Sequence, residues 1–234
     1  AEDYISKPFG SIDHLVQRLR TVLDRRITSL LFDVMLGDLS KAVHSGTGTS
    51  KEFTDLSQTI LERKLALGKR PACTIVDPEP LRSEERRCGL YDAAVVCTCT
   101  TLAERERVFS SEDAPLVAAV SLEAPGAVEL IGELRSAHPT LEIFALAESS
   151  DVNTALAAVD AGAADFALIG EEGMSTCARR IERLVRRARR HQLYVDLVGL
   201  LYQAACEVQP DLAEDIIYAT PESDREQVLA RAKA

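Results

Sequence analysis

From residue 72 onward, short apolar runs alternate with longer amphipathic stretches. Ala72-Cys73-Thr74-Ile75-Val76, Ala93-Ala94-Val95-Val96-Cys97, Pro115-Leu116-Val117-Ala118-Ala119-Val120, Leu141-Glu142-Ile143-Phe144-Ala145-Leu146 and Asp165 to Ile169 are the short runs. Near-continuous apolarity of this kind suits parallel strands covered on both faces. Helical spacing fills the intervals: up to about Gly89, Thr101 to Phe109, Pro125 to Ala137, Asp151 to Ala161, and onward from about Met174. Pro125 falls in a first turn, where a missing N–H costs little. Ser150 or Asp151 can cap the helix that follows, and Gly162 can close it. Strands alternating with helices of this length predict a parallel α/β sheet with right-handed crossovers.

The end of this pattern occurs twice. Ala1-Glu2-Asp3-Tyr4-Ile5 and Ala163-Ala164-Asp165-Phe166-Ala167 each read as an acid, an aromatic and a short apolar run. An amphipathic helix ending in arginines follows each one. The first helix carries Ile12, Leu15, Val16, Leu19, Val22 and Leu23 and ends in Arg25-Arg26; the second carries Cys177, Ile181, Leu184 and Val185 and ends in Arg186-Arg187 and Arg189-Arg190. Such internal repetition predicts the tail of one domain followed by a second, whole copy.

Between the copies, Leu30, Leu31, Val34, Leu39 and Val43 have helical spacing, and Phe53 to Leu67 reads as helix again. The polar stretch Ser45-Gly46-Thr47-Gly48-Thr49-Ser50-Lys51 fails as a phosphate-binding loop, because the lysine does not directly follow a glycine. Beyond the second copy, Val195, Leu197, Val198, Leu201 and Ala205 continue an apolar stripe from Gln192 to Val208. Asp211 to Tyr218 and Glu222 to Ala234 follow as two short helices.

Asp3-Tyr4-Ile5-Ser6-Lys7-Pro8-Phe9 resembles the Lys-Pro end of the last strand in bacterial response-regulator receiver (CheY-like) domains. The succession from Pro71 to about Arg190 resembles a receiver over its full length. Its closest stretches are Val76-Asp77-Pro78-Glu79-Pro80, Leu122-Glu123-Ala124-Pro125-Gly126, and Asp151 to Leu156 leading to Ala161-Gly162-Ala163-Ala164-Asp165-Phe166.

The resemblance implies a flavodoxin-like, doubly wound sheet of five parallel strands in the order 2-1-3-4-5, with any ligand at the carboxyl ends of the strands. It divides the chain into residues 1–26, the end of a truncated receiver whose other strands would lie upstream; 27–70, a helical linker; 71–190, a degenerate second receiver; and 191–234, a helical extension. Lys7 would contact the phosphoryl group of the first receiver as a point charge, and Tyr4 would be its switch aromatic. An intact first receiver would use Mg²⁺ and a histidine kinase or phosphotransfer protein.

The second copy departs from the family's site. The acidic pair is reduced to Asp77, with Pro78 in the second place and Glu79 beyond it. The phosphoacceptor position is Ser121, the hydroxyl position Ala147, and the Lys-Pro position Ile169-Gly170. Mg²⁺ needs several oxygen ligands in near-octahedral geometry, and Asp77 with Glu79 is too small a set. Phosphoryl transfer needs metal and lysine charge on the phosphoryl oxygens, and a serine nucleophile needs a base. The expectation is a pseudo-receiver without cofactor or enzymatic activity, acting in a phosphorelay response regulator through a protein partner or self-association at residues 151–190. The alternative is a small α/β ligand-binding or enzymatic domain that reuses the fold, with Asp77, Glu79, Ser121 and Glu148 at its strand ends.

Composition narrows the partners. The 234 residues have a net charge of −10, which argues against nucleic acid. The arginines between Arg179 and Arg190 predict a solvated helix face. The six cysteines, several within apolar runs, suit a reduced, cytoplasmic chain. Cys97-Thr98-Cys99 lacks the second pair that zinc requires. The Leu193 to Ala205 stretch is too short and too polar to span a membrane. His14, His44, His138 and His191 are expected to be solvated rather than to mark a phosphotransfer site.

Overall fold

The computed structural model describes residues 58–59, 62, 72–91, 97–101, 104–110, 114–148, 152–208 and 210–233. The expectations for residues 1–26, with Tyr4 and Lys7, and for the loop at 45–51 lie outside the described residues. Those for 27–70 do so apart from residues 58–59 and 62. Contacts divide the chain into two compact units, Leu65–Arg189 and a second comprising Ala1–Lys64 and Arg190–Ala234.

The first unit is built on parallel strands β1 (Cys73–Val76), β2 (Cys97–Thr100), β3 (Val117–Ser121), β4 (Glu142–Ala147) and β5 (Asp165–Leu168), in the order β2-β1-β3-β4-β5. Helices α1 (Pro80–Tyr91), α2 (Arg105–Phe109), α3 (Ala127–Ala137) and α4 (Val152–Asp160) connect them, and α5 (Ile169–Glu172) and α6 (Met174–Val208) follow β5. Every residue of β1, β3 and β4 is buried, which is why these strands read as unbroken apolar runs. Val76, Val120, Ile143, Leu130, Ile131 and Leu134 belong to a core between the sheet and α3.

The strand and helix bounds differ from the sequence pattern where a local conformation intervenes. The second strand is described at Cys97–Thr100, paired with β1 from Cys73↔Cys97 to Val76↔Thr100; residues 93–96 of the predicted run lie outside the described residues. The two strands are joined further by a 2.6 Å hydrogen bond between Thr74 Oγ1 and Thr98 Oγ1. The third helix begins at Ala127 rather than Pro125, because Gly126 takes the left-handed conformation at φ 76°. The fifth strand stops at Leu168, and Ile169 opens the single-turn helix α5 instead of ending the strand.

The arginine run is not one solvated face. Arg187 donates from Nε and Nη2 to the two oxygens of buried Glu142 on β4, at 2.8 and 2.6 Å. Arg180 donates from Nε to Asp165 at 3.0 Å and from Nη1 to Glu172 at 2.8 Å, joining α6 to β5 and α5. Arg179, Arg183 and Arg186 are exposed.

In the second unit, the predicted stripe forms the distal part of α6, followed by α7 (Pro210–Ala219) and α8 (Glu222–Ala232). Here α8 approaches α6 closely at Gly199, where a Cβ would lie 3.0 Å from Arg231 Cβ. Arg231 pairs with buried Asp196 at 3.2 Å, and His191 Nε2 lies 3.2 Å from Asp224. His191 therefore has an acidic neighbour, contributed by a helix distant in sequence. Among the described residues, no helix is long and apolar enough to cross a membrane.

Candidate functional site

The carboxyl ends of β1, β3 and β4 converge on one cluster of charged groups. Asp77 directly follows β1 and is buried. Its Oδ1 accepts the Glu79 backbone N–H at 2.9 Å, a tight turn that leads the chain into α1 through Pro80. Arg82 and Arg86 are four residues apart on α1, so both reach back over the same side of the helix. Arg82 forks onto Asp77, with Nε to Oδ2 at 3.0 Å and Nη2 to Oδ1 at 2.8 Å.

Arg86 is the centre of the cluster. Its side chain is only 4% exposed. Nη1 donates to Asp77 Oδ2 at 2.7 Å, and Nη2 donates to Glu123 Oε2 at 3.1 Å and Glu148 Oε1 at 2.7 Å. One guanidinium thus joins carboxylates from three chain segments, each beyond a different strand.

Glu123 locks the arrangement from the other side. It accepts the Ser121 hydroxyl at 2.8 Å through Oε2 and the Glu148 backbone N–H through Oε1. The β3 and β4 ends are joined again where Leu122 N–H donates to Leu146 carbonyl at 2.8 Å.

Burial alone would push the Asp77 carboxyl up. Hydrogen bonds from Arg82 and the Glu79 N–H, with the charges of Arg86 and Arg82, outweigh it and hold the group below its ordinary value. Glu123 behaves the same way: burial is outweighed by the Glu148 N–H, the Ser121 hydroxyl and Arg86. Both remain ionised at neutral pH.

The structure brings Asp77, Ser121 and Ala147 to this end of the sheet, with Ile169 just past β5. Ser121 is fully buried and Ala147 nearly so. Glu79 is at the edge, 3.3 Å from Arg82 through an exposed carboxylate. Gly170 packs against the backbone after β4: a Cβ there would stand 2.8 Å from the Glu148 carbonyl oxygen.

Three participants escaped the sequence reading: Arg82, Arg86 and Glu123. Glu123, two residues beyond Ser121 in sequence, places its carboxylate against the Ser121 hydroxyl. Its depressed pKa makes it a poor proton acceptor, so the contact orients the hydroxyl without activating it.

No protein-family model and no curated protein matches the chain. Its solved structural neighbours are response-regulator receivers. The chain is similar to a receiver-domain protein from Clostridium thermocellum, at 16% identity over 49% of this chain and 94% of that one, with a TM-score of 0.42. A receiver protein from Pseudoalteromonas atlantica is 21% identical over 50% and 98%, at 0.43. A response regulator from Chloroflexus aurantiacus is 22% identical over 50% and 100%, also at 0.43. At these identities and TM-scores the chemistry must be read from the cluster itself.

The resemblance of the sequence to receivers raises the question of a divalent cation, and the residues here do not fit one. Both oxygens of Asp77 and both of Glu123 are already taken by hydrogen-bond donors. A permanently charged guanidinium lies within 2.7 to 3.1 Å of the three carboxylates that an ion would need. Among the described residues, no group of three or more His, Cys, Asp or Glu side chains is arranged to hold a metal.

Proposed function

We propose that residues 71–190 form a pseudo-receiver, a signalling module that keeps the receiver fold but not its phosphorylation chemistry. The single observation carrying this reading is the Arg86 guanidinium bound by Asp77, Glu123 and Glu148. Its positive charge pairs with all three strand-end carboxylates permanently and from within the chain. Phosphoryl transfer would need a mobile cation and a free carboxylate at the same place. The acceptor position instead holds the buried Ser121, the hydroxyl position holds Ala147, and Ile169-Gly170 stands for the Lys-Pro pair.

In this reading the module is non-enzymatic and cytoplasmic and acts through protein contacts at residues 151–190. It belongs to a tandem-receiver response regulator in which the first receiver, ending in Tyr4 and Lys7, takes Mg²⁺ and a phosphoryl group from a histidine kinase or phosphotransfer protein. The sequence resemblance at both copies supports the tandem arrangement.

The test is intact mass and peptide mapping of the chain after incubation with acetyl phosphate and Mg²⁺, with a thermal scan in parallel. The expected result is no phosphoryl adduct within 71–190 and no Mg²⁺-dependent rise in the sheet unit's melting temperature. An adduct mapped to Ser121, Glu123 or Asp77 refutes the reading.

A further inference from the structure

Arg179, Arg183 and Arg186 stand on the face of α6 opposite its buried stripe of Cys177, Ile181, Leu184, Val185 and Ala188. At 3.6 residues per turn the three fall within roughly 60° of one another around the helix. All three are exposed, in a chain whose net charge is −10. Arg186 meets Glu182 on the same helix. Its 72% exposure leaves that pair weak and open to exchange.

The second unit carries a row of opposite charge. Asp211, Glu214 and Asp215 are exposed on α7, opposite the buried Ala213. Tyr218 continues their face and is 83% exposed, one of two large apolar side chains so exposed among the described residues. Asp211, Asp215 and Tyr218 repeat the spacing of Arg179, Arg183 and Arg186, so each row is about 10 Å long. Guanidinium groups pair with carboxylates in a planar fork and stack on aromatic rings. The α7 row offers both.

We propose that the two rows meet between copies of the chain: the arginine row on α6 of one protomer docks on the acidic row and Tyr218 on α7 of another. The contact pairs two different surfaces, so it is made either reciprocally in a two-fold dimer or head-to-tail in a ring or chain of copies. The overall negative charge repels copies in other orientations, which makes the arginine row the determinant of register. This inference rests on residues 151–190 being an interaction surface, and it adds the partner and its chemistry.

The experiment is sedimentation velocity on the full chain across a concentration series, at low and high salt. Self-association should rise with concentration at low salt and weaken about tenfold or more when salt shortens the screening length to a few Å. R179E/R183E/R186E and D211K/E214K/D215K should each be monomeric, and an equimolar mixture of the two should associate because the rows have exchanged sign. If either triple variant loses its fold by circular dichroism, R179Q/R183Q and D211N/D215N replace them, and both must lose association.

A wild-type chain that stays monomeric at every concentration in low salt overturns the proposal. So do variants that assemble like wild type, or charge-exchanged partners that do not associate. Retention of a monomeric wild type on heparin, abolished in R179E/R183E/R186E, also overturns it and assigns the row to an anionic polymer. A phosphoryl adduct on the sheet unit would refute the pseudo-receiver reading while leaving assembly untouched, so the two failures are distinct.

Discussion

Replacing Arg86 by alanine removes the one group that pairs with three strand-end carboxylates at once. Asp77 has no exposed side-chain surface, Glu123 is 26% exposed, and Glu148 is nearly half exposed. Breaking a buried pair by deleting one partner costs about 3–5 kcal/mol, because the other charge is left in a poor dielectric. Two features place this case at the lower end. Asp77 keeps its fork from Arg82, and Glu148 can turn to water, where an ion pair is worth little. The expected cost is about 3 kcal/mol at neutral pH, or roughly 10 °C in the melting temperature of a unit of this size.

The pH dependence gives the decisive sign. Asp77 and Glu123 are held below their ordinary values in the folded chain. Their contribution is therefore fully present above the unfolded carboxylate range, about pH 4, and is lost as pH falls through the lower folded values. In Arg86→Ala that depression shrinks, so the gap between wild type and variant should be widest at pH 7 and should close below about pH 4. Arg86→Lys keeps the charge but not the fork and should recover about half of the loss. The assay is native-state hydrogen exchange on β1, β3 and β4 peptides, which reports the sheet unit by itself. A cost under about 1 kcal/mol, or a gap that does not narrow toward acid, refutes the assigned role of Arg86.

Three other perturbations test the same physical picture. Arg180→Ala unties β5 and α5 from α6 by removing contacts to Asp165 and Glu172; urea unfolding should show a loss of about 1–2 kcal/mol, limited by the partial exposure of all three groups. Gly162→Ala forces a side chain onto φ 116° and to 2.8 Å from Arg135 Cγ; thermal unfolding should show a loss of about 2 kcal/mol. Burial and the neighbouring Glu172 push the Cys177 thiol up to about 11. Its thiolate population at neutral pH should then fall on the order of a hundredfold, and timed maleimide labelling should modify the exposed Cys88 and Cys206 well before Cys177.

The fold was legible where the information is local. Runs such as Val117 to Val120 and Ile143 to Leu146 are apolar at every position because helices or loops cover both faces of the inner strands. Gly162 ends a helix because φ 116° is cheap only for glycine. The described strand Cys97 to Thr100 carries a weaker apolar signal than Ala93 to Cys97, because two of its four residues are threonines, which β-branching nonetheless suits to a strand.

The site was legible only on its strands. Asp77, Ser121 and Ala147 are fixed by their distance from strand ends, which the apolar runs reveal. Arg86 acts across 37 and 62 residues of sequence in its contacts to Glu123 and Glu148, and no periodicity records such a pairing. A usable signal was present nonetheless. Arginines at positions i and i+4 on the helix directly after a strand-end aspartate must lie on one helical side. The first of them already reaches that aspartate, so the second lies one turn further along the same surface, above the neighbouring strand ends. At the carboxyl end of a parallel sheet, a buried cation placed in this way has one consequence that the loss of acceptor residues alone does not. It fixes a positive charge where a divalent ion would otherwise sit, and it does so at every moment. Restoring a carboxylate by Ser121→Asp would therefore add a further negative group to a cluster already closed by Arg86, leaving the cation in place and the site without room for another.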